Sequence, residues 1–570
     1  MQIVKVFIFG LRLDASFTGY ICILPFICFF IHSASSIKTD RLIHIYTYIL
    51  IVIFSFLTVA DLELYKAWGF RLDATPLQYF KNPKEMAASV GASPVVLLLG
   101  IFIVLSVFFI WLYIRFFRLR SINNTPDYRG QYILALLIIP VLFIPIRGGL
   151  QQIPVNQSDV YFSENRFANH AAINVPWNVM QSLLNKNLDT SNPYQYMEQS
   201  KAKVLVDSLY TKRNVPLSLL KIQRPNIIFI ILESYTAKYI GCLGGEKGVT
   251  PRLDSIAAEG MLFTHIYASG DRSEKGLVAL LSGYPTQTTT SIIFDPAKSD
   301  RLPNLQKSLQ EAGYHSGYYY GGELAFANIK SYLLNAGYQK LVSKFDFSSR
   351  DYNSKWGVHD HLLLNRLSHD LAHQPQPFFE TLFTLSSHEP YEIPIPKVFP
   401  GSDEQTQFKN SFYYTDQAIG NFMNDARKQP WWDSTLVILV ADHGHRFPGD
   451  DPNYVPSKFR IPLILSGGAL KITHSINNNI GSQTDIAATI LQQMGLVRNE
   501  YRWSKNLLDS TNRFAFYIFN DGFGFVTSAG AVAFDNISHK VIYRDPGVPE
   551  NQLTTGKAYM QMSFQDFLDK

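Results

Sequence analysis

Four long uncharged runs in the first 150 residues constrain this chain more than any other feature of its sequence. Each run is near or above the roughly 17 to 25 residues that cross a bilayer as a helix. A soluble domain would need a much larger partner layer to bury four such helices in close succession. The runs predict membrane-spanning helices over residues 1–150, and Met1–Leu11 could be the stub of a fifth. The four runs are Ala15–Ile37, Leu42–Ala60, Met86–Ile114 and Gly130–Ile146.

The placement of charge suggests an orientation and excludes one class of partner. Basic residues on the two sides of the predicted membrane segment are nearly equal in number, but the densest cluster follows the third run and favours a cytoplasmic position for that loop. The rest of the chain would then lie outside the cytoplasm. The net charge of +5 is carried by the first 150 residues, so the remainder is near neutral and nucleic-acid binding is not expected. The cluster consists of Arg115, Arg118, Arg120 and Arg129.

The pattern of polar and apolar residues changes twice after residue 150. Residues 151–224 are polar and interrupted by prolines, which predicts a linker with helices. Residues 225–510 alternate short apolar β-branched runs with amphipathic segments, the pattern of an α/β domain with a buried parallel sheet. Residues 511–570 hold closely spaced strand-like runs and predict a small antiparallel unit followed by a helix. We therefore expect a transmembrane bundle, a linker, a three-layer α/β domain and a small C-terminal sheet.

Polar side chains follow three of the apolar runs directly. Glu233 follows NIIFIIL, His388 follows the run that starts at Phe378, and Asp442 and His443 follow TLVILVA. Ligand sites in open α/β sheets lie at the carboxyl ends of the strands, so these side chains are expected to converge. Two carboxylates and an imidazole suit Mn²⁺, Zn²⁺ or Mg²⁺. A single carboxylate after a strand can also simply cap the next helix.

A serine between two cations supplies a candidate nucleophile. Ser273 lies between Arg272 and Lys275, before Gly276 and a short apolar helix. A serine at the positive end of a helix dipole is placed to attack a phosphoryl group, and the two cations could hold the charge of substrate and product. The alternative is an ordinary N-cap serine with solvated neighbours.

Five motifs in this order resemble the alkaline phosphatase superfamily, and within it the membrane-anchored lipoteichoic acid synthase type of phosphotransferase. The resemblance implies that Glu233, Ser273, Asp442 and His443 bind one metal ion, with Ser273 at the nucleophile position, which is usually threonine in the synthases. It implies that His388 faces the substrate and that the catalytic domain lies outside the cytoplasm of a bacterial plasma membrane. The motifs are ILESY (231–235), TPRLDSIAAEG (250–260), GDRSEKGLVALLSGYP (270–285), SSHEPY (386–391) and ADHGH (441–445).

The chain departs from that family where the synthases hold glycerol phosphate. In place of a His-Gly pair and a Trp-Asn-Arg run, the counterpart here reads Tyr320-Gly321 and Phe326-Ala327-Asn328-Ile329. Without the arginine, the planar fork that binds a phosphate is missing. This difference argues against glycerol phosphate as the transferred group. It does not affect the predicted metal ligands.

These observations predict a phosphotransferase that uses one divalent metal ion, with Mn²⁺ favoured over Zn²⁺ and Mg²⁺. It would move a phosphoglycerol or phosphoethanolamine type of head group from a membrane phospholipid to a cell-envelope glycan or glycolipid through a phosphoserine at Ser273. A hydrolytic phosphodiesterase is an alternative, because only the attacking hydroxyl differs. A sulfatase is disfavoured, since Ser273 lacks the C/S-x-P-x-R context needed for conversion to formylglycine. A non-catalytic membrane sensor or scaffold is the remaining alternative, although all four ligand positions hold competent residues.

Overall fold

The computed structural model divides the chain into two compact units, Met1–Ser191 and Asn192–Lys570. It describes residues 2–570 apart from residues 36, 38, 69–70, 74–93, 118–135, 152, 164, 186–190, 212–217, 289, 510 and 512. The predicted linker, 151–224, is thus shared between the two units.

The N-terminal unit is helical, and three of its described helices are long and apolar enough to cross a membrane. Its helices are α1 (Gln2–Ser35), α2 (Asp40–Trp68), α3 (Val95–Leu112, continued by a π-helical turn to Phe117), α4 (Leu136–Arg147), α5 (Arg166–Ala171) and α6 (Val175–Asn185). The sequence suggested that Met1–Leu11 could be the stub of a separate helix. In the structure residues 2–11 belong to α1, so this prediction is wrong. The first part of the third run (86–93), that of the fourth (130–135), and three of the four clustered arginines lie outside the described residues.

Polar residues inside α1 explain why the sequence placed its start too late. Arg12 and Asp14 interrupt the apolar pattern, so the uncharged run begins only at Ala15. In the structure Arg12 forms an ion pair of 3.1 Å with Asp159, and Asp14 accepts a hydrogen bond of 2.7 Å from Asn174. Their charges therefore have partners within the same unit, and the helix continues through them.

The C-terminal unit is built around an eight-stranded sheet in the order β4-β3-β5-β1-β6-β7-β2-β8. All neighbours pair in parallel except at β7, which is antiparallel to both β6 and β2. The strands are β1 (Asn226–Leu232), β2 (Met261–Tyr267), β3 (His315–Tyr320), β4 (Lys340–Val342), β5 (Phe378–Phe383), β6 (Thr435–Ala441), β7 (Arg460–Ser466) and β8 (Ser475–Ser482). Because only β7 is reversed, its first residues lie at the edge where the other strands end.

Helices cover this sheet, and the central strands β1 and β6 are buried along their whole length. The predicted α/β architecture is confirmed, as are the strands at residues 226–232 and 435–441. The helices are α7 (Gln199–Leu209), α8 (Pro251–Glu259), α9 (Ser273–Ser282), α10 (Pro296–Ser299), α11 (Leu305–Glu311), α12 (Ile329–Asn335), α13 (Asp360–Leu371), α14 (Glu404–Ala426), α15 (Pro456–Phe459), α16 (Asp485–Gln493) and α17 (Glu550–Asp569).

A second sheet has four antiparallel strands in the order β12-β11-β10-β9 and confirms the small C-terminal sheet that the sequence predicts. Its strands are β9 (Phe514–Phe519), β10 (Gly522–Thr527), β11 (Gly530–Asp535) and β12 (Lys540–Arg544). Helix α17 packs against β10, β11 and α7. The amide hydrogen of Ile518 in β9 donates to the carbonyl oxygen of Ser269 at 2.9 Å, which ties the small sheet to the segment before α9.

A candidate metal centre at the carboxyl edge of the sheet

The pairing of β1 with β6 places two carboxylates side by side. Leu232 is opposite Ala441 in the parallel register, so the next residues are Glu233 and Asp442. The Asp442 amide donates to the Leu232 carbonyl oxygen at 3.1 Å, which extends the pairing to the end of both strands. The sheet thus brings the two predicted metal ligands together from positions more than 200 residues apart.

His443 completes a buried group of three. Ligand atoms of Glu233, Asp442 and His443 all lie within 4.8 Å of one another. The Nε2 atom of His443 is 3.7 Å from Oε1 of Glu233 and 3.6 Å from Oδ2 of Asp442. Its Nδ1 atom lies 2.8 Å from the Gly444 carbonyl oxygen, which can only accept, so Nδ1 carries a hydrogen and Nε2 is the ring nitrogen available to a metal ion.

Ser273 joins this group from the first turn of α9. Its Oγ donates a hydrogen bond of 3.1 Å to Oε2 of Glu233. Helix α9 can lie this close because residue 276 is glycine: a Cβ there would be 2.0 Å from the Asp442 carbonyl oxygen. Gly276 was recognised in the motif, but its packing against Asp442 is visible only in the folded chain.

The chemistry of this group fits a divalent cation. Oδ2 of Asp442 is buried and has no hydrogen-bond partner among the described residues, an arrangement that costs free energy unless a positive charge compensates it. Burial, followed by the charge of Asp442, raises the pKa of the Glu233 carboxyl well above its usual range. Burial alone would lower the pKa of His443, but the carboxylates of Asp442 and Glu233 produce a net upward shift. Glu233, Asp442, His443 and the Ser273 oxygen would hold the ion.

Ser234 is a site residue that the sequence reasoning missed. Its φ of 59° is in the left-handed region, which non-glycine residues rarely adopt. This conformation lets its amide donate to Oδ1 of Asp442 at 2.8 Å while its hydroxyl donates to Oε1 of Glu233 at 2.8 Å. Ser234 therefore orients both carboxylates. The only sequence signal was its place directly after a strand-ending carboxylate.

The predicted substrate-side residues fall into different surroundings. Lys275 is buried, and its ammonium is bound to Asp271 at 3.1 Å, which leaves it in an ion pair. Arg272 is exposed at the N-cap of α9 and has no ion-pair or hydrogen-bond partner for its side chain in the described part of the chain.

His388 lies in the turn after β5. The neighbouring Ser387 donates to the Glu233 carbonyl oxygen at 2.6 Å, which links this turn to the metal ligands. The His388 ring packs edge-on against Trp356 with the ring centroids 4.9 Å apart. The structure therefore ties His388 to the site through its neighbour and sets it in an aromatic environment.

The segment that departs from the synthases lies next to the same edge. Tyr320, the last residue of β3, stacks on Phe383 with centroids 5.1 Å apart. Burial and the charges of Glu233 and Asp442 raise its pKa, so the hydroxyl stays neutral close to the carboxylates. Farther along, Phe326 lies 6.2 Å from Trp356, and Asn328 is buried with a φ of 60°. Aromatic rings thus occupy this side, and the run 326–329 provides no cation.

Residues 225–496 match the family model described as Sulfatase. This match, the mixed sheet and the buried group at its carboxyl edge show that the chain contains a sulfatase-type domain of the alkaline phosphatase superfamily. Lipoteichoic acid synthase-like YvgJ of Bacillus subtilis is 23% identical over 327 residues, which cover 53% of this chain and 52% of the relative. Lipoteichoic acid synthase of Staphylococcus aureus is 25% identical over 304 residues, which cover 49% of this chain and 46% of the relative. The chain is therefore homologous to lipoteichoic acid synthases, and it spans about half the length of these curated relatives.

Two crystal structures share this fold. A protein in the alkaline phosphatase superfamily from Vibrio parahaemolyticus is 26% identical, has a TM-score of 0.58 and covers 67% of this chain and 98% of its own. The lipoteichoic acid synthase LtaP from Listeria monocytogenes is 17% identical, has a TM-score of 0.54 and covers 64% and 98%. The predicted family resemblance and fold class are confirmed.

Proposed function

We propose that this chain is a membrane-anchored phosphotransferase that transfers a phospho-head group from a phospholipid to a cell-envelope glycan or glycolipid. The observation that carries the proposal is the hydrogen bond of 3.1 Å between the Ser273 hydroxyl and Glu233, inside a group of three buried metal-ligand side chains. A nucleophile in contact with a metal ligand at the N-terminus of a helix is an arrangement suited to phosphoryl transfer. Homology to lipoteichoic acid synthases supports the same reaction class.

The reaction proceeds in two displacements. Ser273 Oγ attacks the phosphorus of the lipid head group, a P–O bond forms, and the P–O bond to the lipid glycerol breaks. The proton lost from Ser273 is matched by the one gained by the departing alcohol. The intermediate is a phosphodiester that joins Ser273 to the head group. An acceptor hydroxyl then attacks its phosphorus, and Ser273 Oγ leaves and takes up the proton that the acceptor loses. Glu233 positions the Ser273 hydroxyl, and Ser234 positions the carboxylates of Glu233 and Asp442, during both steps.

A divalent metal ion held by Glu233, Asp442, His443 and Ser273 would lower the pKa of the serine hydroxyl and neutralise charge on the phosphoryl oxygens. We propose Mn²⁺, with Zn²⁺ and Mg²⁺ as alternatives. His388 is proposed to face the substrate. Its turn is tied to the Glu233 backbone through Ser387 at 2.6 Å, which would keep the imidazole near the reacting group.

The three apolar helices imply a membrane protein, and a domain tethered to a bilayer in this way would have lipid head groups available as donors. We propose that the catalytic domain lies outside the cytoplasm of a bacterial plasma membrane, where envelope glycans and glycolipids are available as acceptors. Accessibility of a single cysteine introduced at exposed Ser402 to an impermeant thiol reagent in intact cells tests this orientation. Labelling only after lysis would refute it.

The activity is tested with the full-length chain in lipid nanodiscs containing Mn²⁺ and head-group-labelled phosphatidylglycerol or phosphatidylethanolamine, with a glycolipid acceptor. Ser273→Ala should lower product formation on the order of 10³-fold or more, whereas Ser273→Thr, which keeps a hydroxyl, should retain turnover. Ser402→Ala removes an exposed serine hydroxyl and serves as the matched control. Ser273 joined to the labelled head group through a phosphodiester should be trapped when the acceptor is omitted.

The products separate the proposal from its alternatives. Label found only in free head-group phosphate would indicate a phosphodiesterase. Release of sulfate from aryl sulfates without any phosphotransfer would indicate a sulfatase. Full turnover by Ser273→Ala would rule out the mechanism, and a purified protein that binds no divalent metal and shows no turnover would favour a sensor or scaffold.

A further inference from the structure

The reversed strand β7 places a lysine at the edge of the sheet where the candidate nucleophile lies. Because β7 runs antiparallel to β6, the residues before it lie at the edge where β6 ends in Asp442 and His443. It is also antiparallel to β2, with Arg460 opposite Tyr267, so the segment from β2 to Ser273 leaves the sheet at this same edge. Lys458, two residues before β7, therefore lies among the segments that carry the nucleophile and the metal ligands.

Close backbone packing fixes this placement. The Ala268 amide donates to the Phe459 carbonyl oxygen at 2.7 Å, which joins the segment before Ser273 to the segment of Lys458. On the other side, a Cβ on Gly444 would lie 1.9 Å from the Lys458 carbonyl oxygen, so only glycine allows the chain after His443 to pack here. Lys458 is thus held between the two chain segments that build the site.

The Lys458 ammonium is half-buried and lacks a carboxylate partner. Its Nζ donates to Oδ1 of Asn453 at 2.5 Å, and no carboxylate of the described residues lies within ion-pair distance of it. Burial lowers its pKa, Asp271 raises it, and the positive charges of Arg272 and Lys275 lower it further. The ammonium is therefore in an environment with an excess of positive charge.

The local charge balance has the sign that an anionic substrate requires. Lys275 is neutralised by Asp271, while Arg272 and Lys458 have no carboxylate partner of their own. Burial alone would raise the pKa of Asp271, but the charges of Lys275, then Lys458 and His443, hold it below its usual range, so Lys458 lies within electrostatic range of this carboxyl. Two cations in this region match a phosphodiester, which carries one negative charge in the lipid substrate and in the serine-linked intermediate and gains further charge on its oxygens as the serine oxygen adds.

We infer that Lys458, together with Arg272, binds the anionic oxygens of the phosphoryl group, a role that nothing in the run 326–329 can supply. The inference rests on the proposed function, since it assigns the phosphate-binding cations of that same site. A lysine is a compact point charge without the planar fork of an arginine, so it attracts a phosphate and orients it less strictly. Selection among head groups would therefore depend on residues other than the cations that bind the phosphate.

The test measures binding of inorganic phosphate to the full-length, Mn²⁺-loaded protein by isothermal titration calorimetry. Lys458→Met, which keeps the length of the side chain, should weaken phosphate binding roughly 10- to 100-fold, as expected for loss of a charged hydrogen bond. Lys458→Arg should bind phosphate within a few-fold of wild type. Lys471→Met is the matched control, because exposed Lys471 follows the end of β7 at the opposite edge of the sheet.

Two further measurements make the result decisive. Mn²⁺ binding should be unchanged in Lys458→Met, and a parallel loss of Mn²⁺ would overturn the inference, since the phosphate effect would then come from the metal site. Unchanged phosphate affinity in Lys458→Met would also overturn it. Ser273→Ala should abolish turnover and still bind phosphate. Phosphate binding that depends on Lys458 in a wild-type protein without turnover would support the inference and refute the proposed function.

Discussion

Replacing Gly276 with alanine tests whether the contact between α9 and the end of β6 sets the geometry of the site. A Cβ at this position would lie 2.0 Å from the Asp442 carbonyl oxygen and 2.7 Å from its carbonyl carbon. Non-bonded carbon and oxygen atoms approach to roughly 3.3 Å, so the two segments must separate by about 1 Å. Both clashing atoms belong to the backbone, so rotation of a side chain cannot relieve the clash.

Stability and activity should respond differently to this substitution. Overpacking costs roughly 1–3 kcal/mol, but alanine gains about 1 kcal/mol over glycine in a helix, so the net loss of stability is at most about 2 kcal/mol. A displacement of about 1 Å at a reacting atom costs on the order of 10²-fold in rate. We therefore expect Gly276→Ala to remain folded while phosphotransfer falls about 100-fold, because Ser273 moves away from Glu233.

The assay compares initial rates of phosphotransfer in nanodiscs with the thermal unfolding midpoint of the same preparations. Gly100→Ala is the matched control: it is also helical, and a Cβ there meets no described atom within 4 Å. It should leave the transfer rate unchanged, and its unfolding midpoint should rise slightly, because alanine is favoured over glycine in a helix. A Gly276→Ala protein that transfers at the wild-type rate would refute the argument that α9 must approach Asp442 this closely.

Three further changes probe the surroundings of the site. Ser234→Gly keeps the left-handed backbone and removes the hydroxyl bond to Glu233, so Mn²⁺ affinity in equilibrium dialysis should fall on the order of 10-fold; unchanged affinity would contradict an orienting role. Asp360→Ala leaves the amides of Leu385 and Ser386 and the Thr415 hydroxyl without their acceptor, so urea unfolding should show a loss of about 3 kcal/mol; a loss below about 1 kcal/mol would contradict this. Burial raises the pKa of Glu380 to about 8, so the folded state keeps a proton that the unfolded state releases near pH 4.5. The unfolding free energy should fall between these pH values by up to about 1.4 kcal/mol per unit, and Glu380→Gln should flatten that fall; an equal slope in both proteins would refute it.

Sequence reasoning found the central strands of the large sheet because their environment is uniform along their length. Strands β1 and β6 are buried on both faces, so their sequences are continuous apolar runs that can be recognised locally. Strand β8, with the sequence SINNNIGS, was not predicted because it lies at the sheet edge, where polar residues are tolerated. The reversal of β7 was also out of reach, since strand direction depends on pairing with β6 and β2 and leaves no mark in the strand itself.

The same distinction applies to the site. Glu233, Asp442 and His443 could be proposed because each follows a recognisable strand, and parallel strands end at one edge. Ser234 and Gly276 both depend on a special backbone geometry. Ser234 needs a positive φ to direct its amide and hydroxyl at the carboxylates, Gly276 needs a missing Cβ, and both requirements exist only once the chain segments meet. Their roles therefore follow from the folded structure, although both residues lie inside or beside the motifs that drew attention to the site.

Net charge summed over a long segment does not describe the charge around a single site. Summed over the whole C-terminal part the charge is near zero, which argues against a surface for nucleic acid. In the structure this neutrality is not uniform. Arg272, which directly precedes Ser273, and Lys458 are close enough to affect each other electrostatically, and neither has a carboxylate partner among the described residues, whereas Lys275 is paired with Asp271. An enzyme that binds one phosphoryl group needs such an imbalance only over a few ångströms, because charges farther apart than about 10 Å are largely screened. The absence of a basic composition therefore carries no weight against a phosphate-binding site.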